Sequence, residues 1–326
     1  MPTAIRFYEH GGPEVLRVED VTPGKPGKGE VQLRHTAIGV NYIDVYDRTG
    51  LYPSTLPGGL GREAAGVVAA LGRGVRGFRL GERVAYVYPV SGAYCEVRNV
   101  PVERLVRVPA GITDQQAAAL MLKGLTAHFL IRRTYKVARG DIILVHAAAG
   151  GVGLILCQWA KALGAKVIGV VGSEAKAEVA RRHGCWKVLI SGRDELVPSV
   201  KTLTRNEGVP VVYDAVGKDT FMESLDCLRR LGMMVTFGNA SGPPPPINPL
   251  ELSKRGSLFL TRPTLFNYIA TRAELEKAAR ELFAAVKSKK VRVVVGQTYP
   301  LAQAAQAHRD LESRLTTGST VLVPGG

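Results

Sequence analysis

Between the apolar run Ile142-Ile-Leu-Val-His-Ala147 and the helix-like run GVGLILCQWAKALG lies HAAAGGVG, residues 146–153, with the spacing Ala148-x-Gly150-x-x-Gly153. A turn of this kind can hold a pyrophosphate. Gly150 lets backbone approach the phosphates, Gly153 lets the helix pack close to the strand, and Gly151 and Val152 open a helix whose N-terminus presents N–H groups to an anion. Ala148 stands where the first glycine usually serves the tight turn, and its methyl is tolerated if φ stays negative there. A Gly-rich structural turn is the bland alternative; the order strand, turn, helix, strand favours a dinucleotide. The choice of dinucleotide is made one strand later, where an acid would hold the ribose hydroxyls of NAD. Here Gly172 and Ser173 take the acid's place, Ser173 can cap the next helix, and Lys176 in its first turn suits a phosphate. Glu174 opposes this unless its side chain points away. The expected cofactor is NADPH.

The elements that must position these residues come in two textures. Residues 1 to about 110 are rich in Val, Gly and short alternating runs (VQLRHTAIGV, RVAYVYPV, AYCEVRNV), separated by clusters such as TPGKPGKGE and GLYPSTLPGGLG. That argues for a β-rich module. Thr113 or Asp114 can cap a helix running through QQAAALMLKGLTAHFLIRRTY. From Asp141 strand, turn and helix alternate: IILVHA, the helix to Gly164, KVIGVV, a helix to Gly184, KVLI, VPVVYDAVG, the helix DTFMESLDCLRRLG, MMVTFGN and SLFLTRP. This rhythm predicts a doubly wound parallel sheet with helices on both faces. The run Gly242-PPPP-Ile247 cannot enter a central strand and reads as a stiff loop. Thr271-x-x-Glu274 forms a capping box for a helix with Leu275, Ala278, Ala279, Leu282, Phe283 and Val286 on one face. The chain then runs through VRVVVGQTYPL and AAQAHRDLESR to a terminal strand, STVLV.

Composition narrows the classes. A chain of 326 residues has room for about two domains. No apolar run approaches the ~18 residues needed to cross a bilayer, and MPTAIRFYEHGG lacks the plan of a signal peptide. Cys95, Cys157, Cys185 and Cys227 are scattered with no C-x-x-C, so a reducing cytoplasm is expected. The net charge of +15 is dispersed and interleaved with acids. It reads as a solvated surface that attracts small polyanions, with nucleic-acid binding as the minor reading.

Taken together the motifs resemble a family. Gly140-DIILVHAAAGGVG with Gln158 and Lys161 looks like the signature of the zinc-free quinone oxidoreductases, the zeta-crystallin-like branch of the medium-chain dehydrogenase/reductases. GGPEVL, AIGVNYIDVYDRTGLYP, GREAAGVVAALGRGV, MLKGLTAHFL, YDAVGKDT, VTFGNASG and LESRLTTGSTVLVP follow in family order. The resemblance implies an α/β protein with a GroES-like β-rich catalytic domain, residues 1–123 and 263–326, and a Rossmann doubly wound domain, residues 124–262, with the nicotinamide in the cleft between them. Zinc-dependent relatives use a Cys and a Gly-His-Glu; here Asn41 and Gly61-Arg62-Glu63 stand in those places, so no metal is expected.

By the same resemblance Asn41, Tyr46 and Tyr52 line the active cleft, with Asp44 and Arg48 nearby. Asn41 offers an amide donor, and the tyrosines offer phenols and flat walls, or plain packing. Further cofactor contacts implied are Thr126, Gly151, Val152, Val216, Gly217, Phe237, Gly238, Asn239, Arg262 and Arg314; the two arginines also read as helix-end or interdomain charges. Ser191 replaces a family tyrosine near the adenosine phosphate, and Arg193 can supply charge there. A homodimer is implied, pairing the edge near Ser257-Leu-Phe-Leu-Thr.

Three functions remain. The first is NADPH-dependent reduction of quinones without metal. The second is reduction of activated C=C bonds in enones or substituted acrylates, where an acid substrate needs a fixed cation and Arg48 or Arg62 is the candidate. The third, of another class, is single-stranded RNA binding, supported by the charge alone.

Overall fold

Strand Glu30–Val40 is the organiser of the first unit: it pairs antiparallel with Glu63–Leu71, Val97–Pro101 and Ser319–Val323. In this computed structural model, which describes residues 1–325, the chain forms two units. The first comprises Met1–Leu125, Ile269–Lys287 and the C-terminal stretch from Val293. Its main sheet runs Val295–Pro300, Ser319–Val323, Glu30–Val40, Glu63–Leu71, Arg83–Val87, Leu105–Arg107. A small sheet joins Arg17–Asp20, Thr3–Phe7 and Gly58–Gly59. The alternation seen in VQLRHTAIGV puts Val31, Leu33 and Ile38 into a core with Phe7, Leu60, Tyr86 and Leu105. Leu301, Ala304 and Ala307 close that core from the C-terminal segment.

The second unit, Thr126–Tyr268 with Ser288–Arg292, is a six-stranded parallel sheet. Its order is Cys185–Ile190, Lys166–Val171, Ile142–His146, Val209–Asp214, Leu228–Thr236, Phe259–Thr261, which in chain sequence is 3-2-1-4-5-6. That is the doubly wound dinucleotide-binding order, with its reversal beside the first strand. Buried apolar residues of the central strands, Leu144, Ile168, Val212 and Met234, pack with Phe221, Leu225 and Val200.

Two elements depart from the sequence reading. The expected helix DTFMESLDCLRRLG is confined to Phe221–Asp226, and the strand starts already at Leu228. The pairing slips between Val209↔Leu228 and Val211↔Met233, and Leu231 takes a left-handed φ of 59° within the slip. The long helix after Thr113 is broken into Asp114–Ala118 and Met121–Phe129, followed by one wide turn at Leu130–Thr134. Thr113, not Asp114, supplies the cap: its hydroxyl accepts from Gln116 N at 3.1 Å. Among the described residues no helix is long and apolar enough to cross a membrane.

Candidate functional site

All six strands of the second unit end at one edge of the sheet, and most of the expected cofactor residues follow directly on those ends. Ala148, Gly150, Gly151, Val152 and Gly153 follow Ile142–His146, while Gly172, Ser173 and Lys176 follow Lys166–Val171. Ser191 follows Cys185–Ile190, Val216 and Gly217 follow Val209–Asp214, Phe237 to Asn239 follow Leu228–Thr236, and Arg262 follows Phe259–Thr261. Thr126 instead lies buried in the helix Met121–Phe129, and Arg314 belongs to the first unit.

Within the turn, the left-handed residue is Ala147, at φ 51°, one position before the alanine to which the sequence assigns the tight turn. Ala148 is fully buried, and its methyl fills the space above Gly169, where an added Cβ would lie 2.8 Å away. A Cβ on Gly153 would fall 2.3 Å from Ala147 O, so helix and turn pack backbone to backbone. Gly150 is the N-cap of Gly151–Ala162, and no side chain caps that end. The first helical bond in this turn runs from Leu154 N to Gly150 O at 2.9 Å, so the N–H groups of Gly151, Val152 and Gly153 face out of the helix end. A Cβ on the N-cap Gly150 would meet only Ala147 O, at 3.2 Å, within 4 Å, which leaves open space beside the helix end. An uncapped N-terminus beside open space fits a bound pyrophosphate.

Asp214 was not singled out from the sequence, yet it builds the next loop. Its buried carboxylate accepts from Val216 N at 2.7 Å, Gly217 N at 3.2 Å and Thr220 Oγ1 at 2.8 Å. Arg262 donates to Thr236 Oγ1 at 3.1 Å and to Gly238 O at 3.0 Å, bracing the loop from Phe237 to Asn239. Around the helix Glu174–Arg182, Ser173 Oγ accepts from Lys176 N at 3.4 Å. Glu174 points to Arg193 and Arg181, at 2.8 and 2.9 Å, and their hydrogen bonds hold its carboxyl below the usual range. Arg193 is thereby committed to Glu174 and Asp194 rather than standing free beside Ser191.

In the first unit Asn41 ends the long strand and opens the helix Tyr42–Thr49. Tyr46 and Tyr52 meet edge to face with ring centroids 5.2 Å apart, and Tyr42 lies 6.1 Å from Tyr46. The Asn41 side chain is 5% exposed and donates from Nδ2 to Glu63 Oε1 at 2.8 Å. Lys123 Nζ donates to the same oxygen at 3.1 Å and to Val40 O at 2.9 Å, while Leu122 N donates to Glu63 Oε2 at 2.5 Å. Gly39 makes room, since a Cβ there would fall 2.2 Å from Glu63 Oε1. Lys123 escaped the sequence reading and Glu63 entered it only within Gly61-Arg62-Glu63, although a single lysine inside the apolar run LMLKGLTAHFL is the mark of a buried, paired charge.

A second buried network runs behind this helix. Arg48 is fully buried, donates to His308 Nδ1 at 3.0 Å and pairs with Glu312 at 2.7 Å. A guanidinium only donates, so His308 carries its proton on Nε2 and gives it to Tyr94 Oη at 3.1 Å. Tyr94 in turn donates to Asp44 Oδ2 at 2.9 Å, which also accepts from Asn41 N at 2.8 Å. Burial, then the Arg48 charge, press His308 down to about 3. Burial lifts Asp44 to about 7 despite the Asn41 and Tyr94 bonds, and its Oδ1 has no partner. Beside it Asp47 forms a two-oxygen pair with Arg62, at 2.9 and 2.7 Å, and accepts from Ser91 Oγ at 2.7 Å.

Two family models match the chain: "Alcohol dehydrogenase GroES-like domain" over residues 27–110 and "Zinc-binding dehydrogenase" over residues 151–285. A quinone oxidoreductase of Salmonella typhimurium is 52% identical over 99% of this chain and 100% of its own length. The crystal structure of Escherichia coli quinone oxidoreductase complexed with NADPH superposes with a TM-score of 0.97 at 50% identity, covering 99% of this chain and 100% of that one. The chain belongs to the quinone oxidoreductase family. A 2-haloacrylate reductase of a Burkholderia species is also similar, at 46% identity over 99% of both chains.

The name of the second family model implies zinc, and the donors at the corresponding place do not fit it. Asn41 presents an amide N–H toward Glu63, the Lys123 ammonium already neutralises that carboxylate, and Arg62 is locked to Asp47. Zinc is held by thiolates, imidazoles and carboxylates. Among the described residues no group of three or more such side chains is assembled for a metal.

Proposed function

We propose that the protein reduces quinones with NADPH, without a metal. The observation that carries this is the whole-length match, at about half identity, to quinone oxidoreductases, one of them solved with NADPH. When bound, NADPH supplies the hydride, and the chain's own residues do the rest. The N–H groups at Gly151, Val152 and Gly153 bind the pyrophosphate; Ser173 and Lys176 face the adenosine phosphate, with Glu174 drawn off by two arginines. Phe237, Gly238 and Asn239, Val216 and Gly217, Arg262, Thr126, Ser191 and Arg314 complete the cofactor contacts in this reading. Asn41 stabilises negative charge developing on the acceptor oxygen, and Tyr46 with Tyr52 walls a planar ring. The amide is held in place by Glu63, which leaves one N–H for the substrate.

A second reading is reduction of activated C=C bonds, favoured by the likeness to 2-haloacrylate reductase. Within the first unit the two cations considered for an acid substrate are spent: Arg48 on His308 and Glu312, Arg62 on Asp47. Neutral acceptors therefore come first. The test is NADPH oxidation with 1,4-benzoquinone, a simple enone and a haloacrylate, repeated with NADH and with Lys176→Ala. Expected are quinone before enone before acrylate, and a preference for NADPH that Lys176→Ala loses. An acrylate outrunning the quinone refutes the substrate reading, and equal kcat/KM for the two cofactors refutes the Lys176 role. The protein would act in the cytoplasm, as four buried unpaired cysteines suit. It would act as a homodimer through the free edge of strand Phe259–Thr261, where Phe259 is 56% exposed.

A further inference from the structure

Away from the residues assigned to the reaction, the first unit contains a pocket of about 370 Å3 with two arginines and no acid in its walls. That volume falls in the lower part of the ~300–1,000 Å3 range of small-molecule sites. Strand alternation in Thr3–Phe7 sends Ile5 and Phe7 into the core and leaves Ala4 and Arg6 on the other face, toward Cys95 and Gly92. Arg98 comes from Val97–Pro101 and lines the same pocket.

The two cations differ in how they are held. Arg98 is fixed by the carbonyls of Val90 at 2.8 Å and Ser91 at 3.0 Å, by Tyr86 Oη at 3.3 Å, and by the rings of Tyr86 and Tyr88 beneath it. Every one of those partners is neutral, so its position is set while its charge is not compensated. Nε and one N–H of NH1 remain to donate. Arg6 is exposed, and among the described residues no carboxylate pairs with it or with Arg98. Glu96 accepts from Thr3 N at 2.9 Å and does not line the pocket. Both charges reach one point: the Cys95 thiol is pushed up to about 11 by burial, while Arg98 and Arg6 each pull it the other way. Cys95 is thus neutral and does not repel an anion. Gly59 also lines the pocket, where a Cβ would sit 3.3 Å from Gly92 Cα.

We propose that this pocket is a binding site for a small phosphate-type anion, free phosphate or a phosphate monoester, held between Arg6 and Arg98. A pre-set guanidinium and an exposed one lining the same pocket suit a tetrahedral dianion, which takes donors from several directions. The full-length protein saturated with NADPH, so that its cofactor phosphate sites are filled, is titrated calorimetrically with inorganic phosphate and with glycerol phosphate, against chloride at matched ionic strength. Binding is expected for at least one of them, with the tighter ligand naming the occupant. Arg6→Ala weakens it about tenfold or more, Arg6→Lys restores part of it, and quinone turnover without phosphate stays at the wild-type level. Arg98→Lys, which keeps the charge but loses the fixed fork, gives a second loss if Arg98→Ala does not fold. No binding at millimolar phosphate, or equal affinity in wild type and Arg6→Ala, overturns the proposal.

Discussion

Replacing Lys123 by methionine isolates the charge that stands on Glu63. The substitution keeps the length of the side chain and its apolar stem, and it removes one ammonium that is 8% exposed. Glu63, fully buried, would keep the Asn41 amide and the Leu122 N–H but lose its counter-charge. Breaking a buried pair from one side costs about 3–5 kcal/mol. The expected loss at pH 7 is therefore about 4 kcal/mol.

Denaturant unfolding of wild type, Lys123→Met and Lys123→Met with Glu63→Gln measures this. The double variant removes the orphaned charge and should recover most of the loss. A loss below about 1 kcal/mol at pH 7 refutes the claim that Lys123 serves as the fixed cation of this site. A deficit left unchanged by Glu63→Gln would assign the effect to packing instead. Kinetics add a second check: a displaced Glu63 releases the Asn41 amide, so kcat falls while NADPH affinity holds.

Asp44 gives a pH signature of opposite sense to the histidines. Its folded value, about 7 against 3.8, means the folded state holds a proton that the unfolded state has lost, so its contribution to stability falls as pH rises from about 4 to 7. The span is worth on the order of 4 kcal/mol; the Tm of Asp44→Asn should gain on wild type across this window and run parallel to it above, and parallel melting curves from pH 4 to 8 would sink the assignment. His308 and His35, pressed to about 3 and about 4 mainly by burial, stabilise in the other direction, losing their contribution as pH falls from about 6.5. For the assembly, Phe259→Asp should shift the mass measured by sedimentation from dimer to monomer, and a wild-type monomer would remove the edge-pairing reading.

The fold was legible because it rests on periodicities. Alternating runs became the antiparallel sheet, and strand–turn–helix lengths became the parallel one, down to the glycines at its first turn. What sequence could not reveal was where the strain sits. HAAAGGVG contains three alanines of equal propensity, and the left-handed one is Ala147, because Ala148 must bury its methyl over Gly169 and bond Val170 O at 3.1 Å. Helix ends near residue 227 were misread for the same reason. CLRRLG continues a helical pattern, and only pairing of Leu228 with Val209 turns it into strand.

For the candidate site, the sequence gives the residues but not their partners. Asn41 looked like a lone amide, and Arg48 and Arg62 looked like cations available to an acid; their partners, Glu63, His308 with Glu312, and Asp47, lie from 15 to 264 residues away along the chain. Those pairings change the chemistry expected. A buried carboxylate neutralised by lysine leaves Asn41 as a hydrogen-bond donor in fixed orientation, and arginines spent on carboxylates leave no free guanidinium beside Tyr46 in the first unit from that pair. An acceptor there must carry its own electron demand, as a quinone does by delocalising incoming charge onto oxygen. In the proposed reading, what this set of residues would offer it is an oriented N–H and flat aromatic walls.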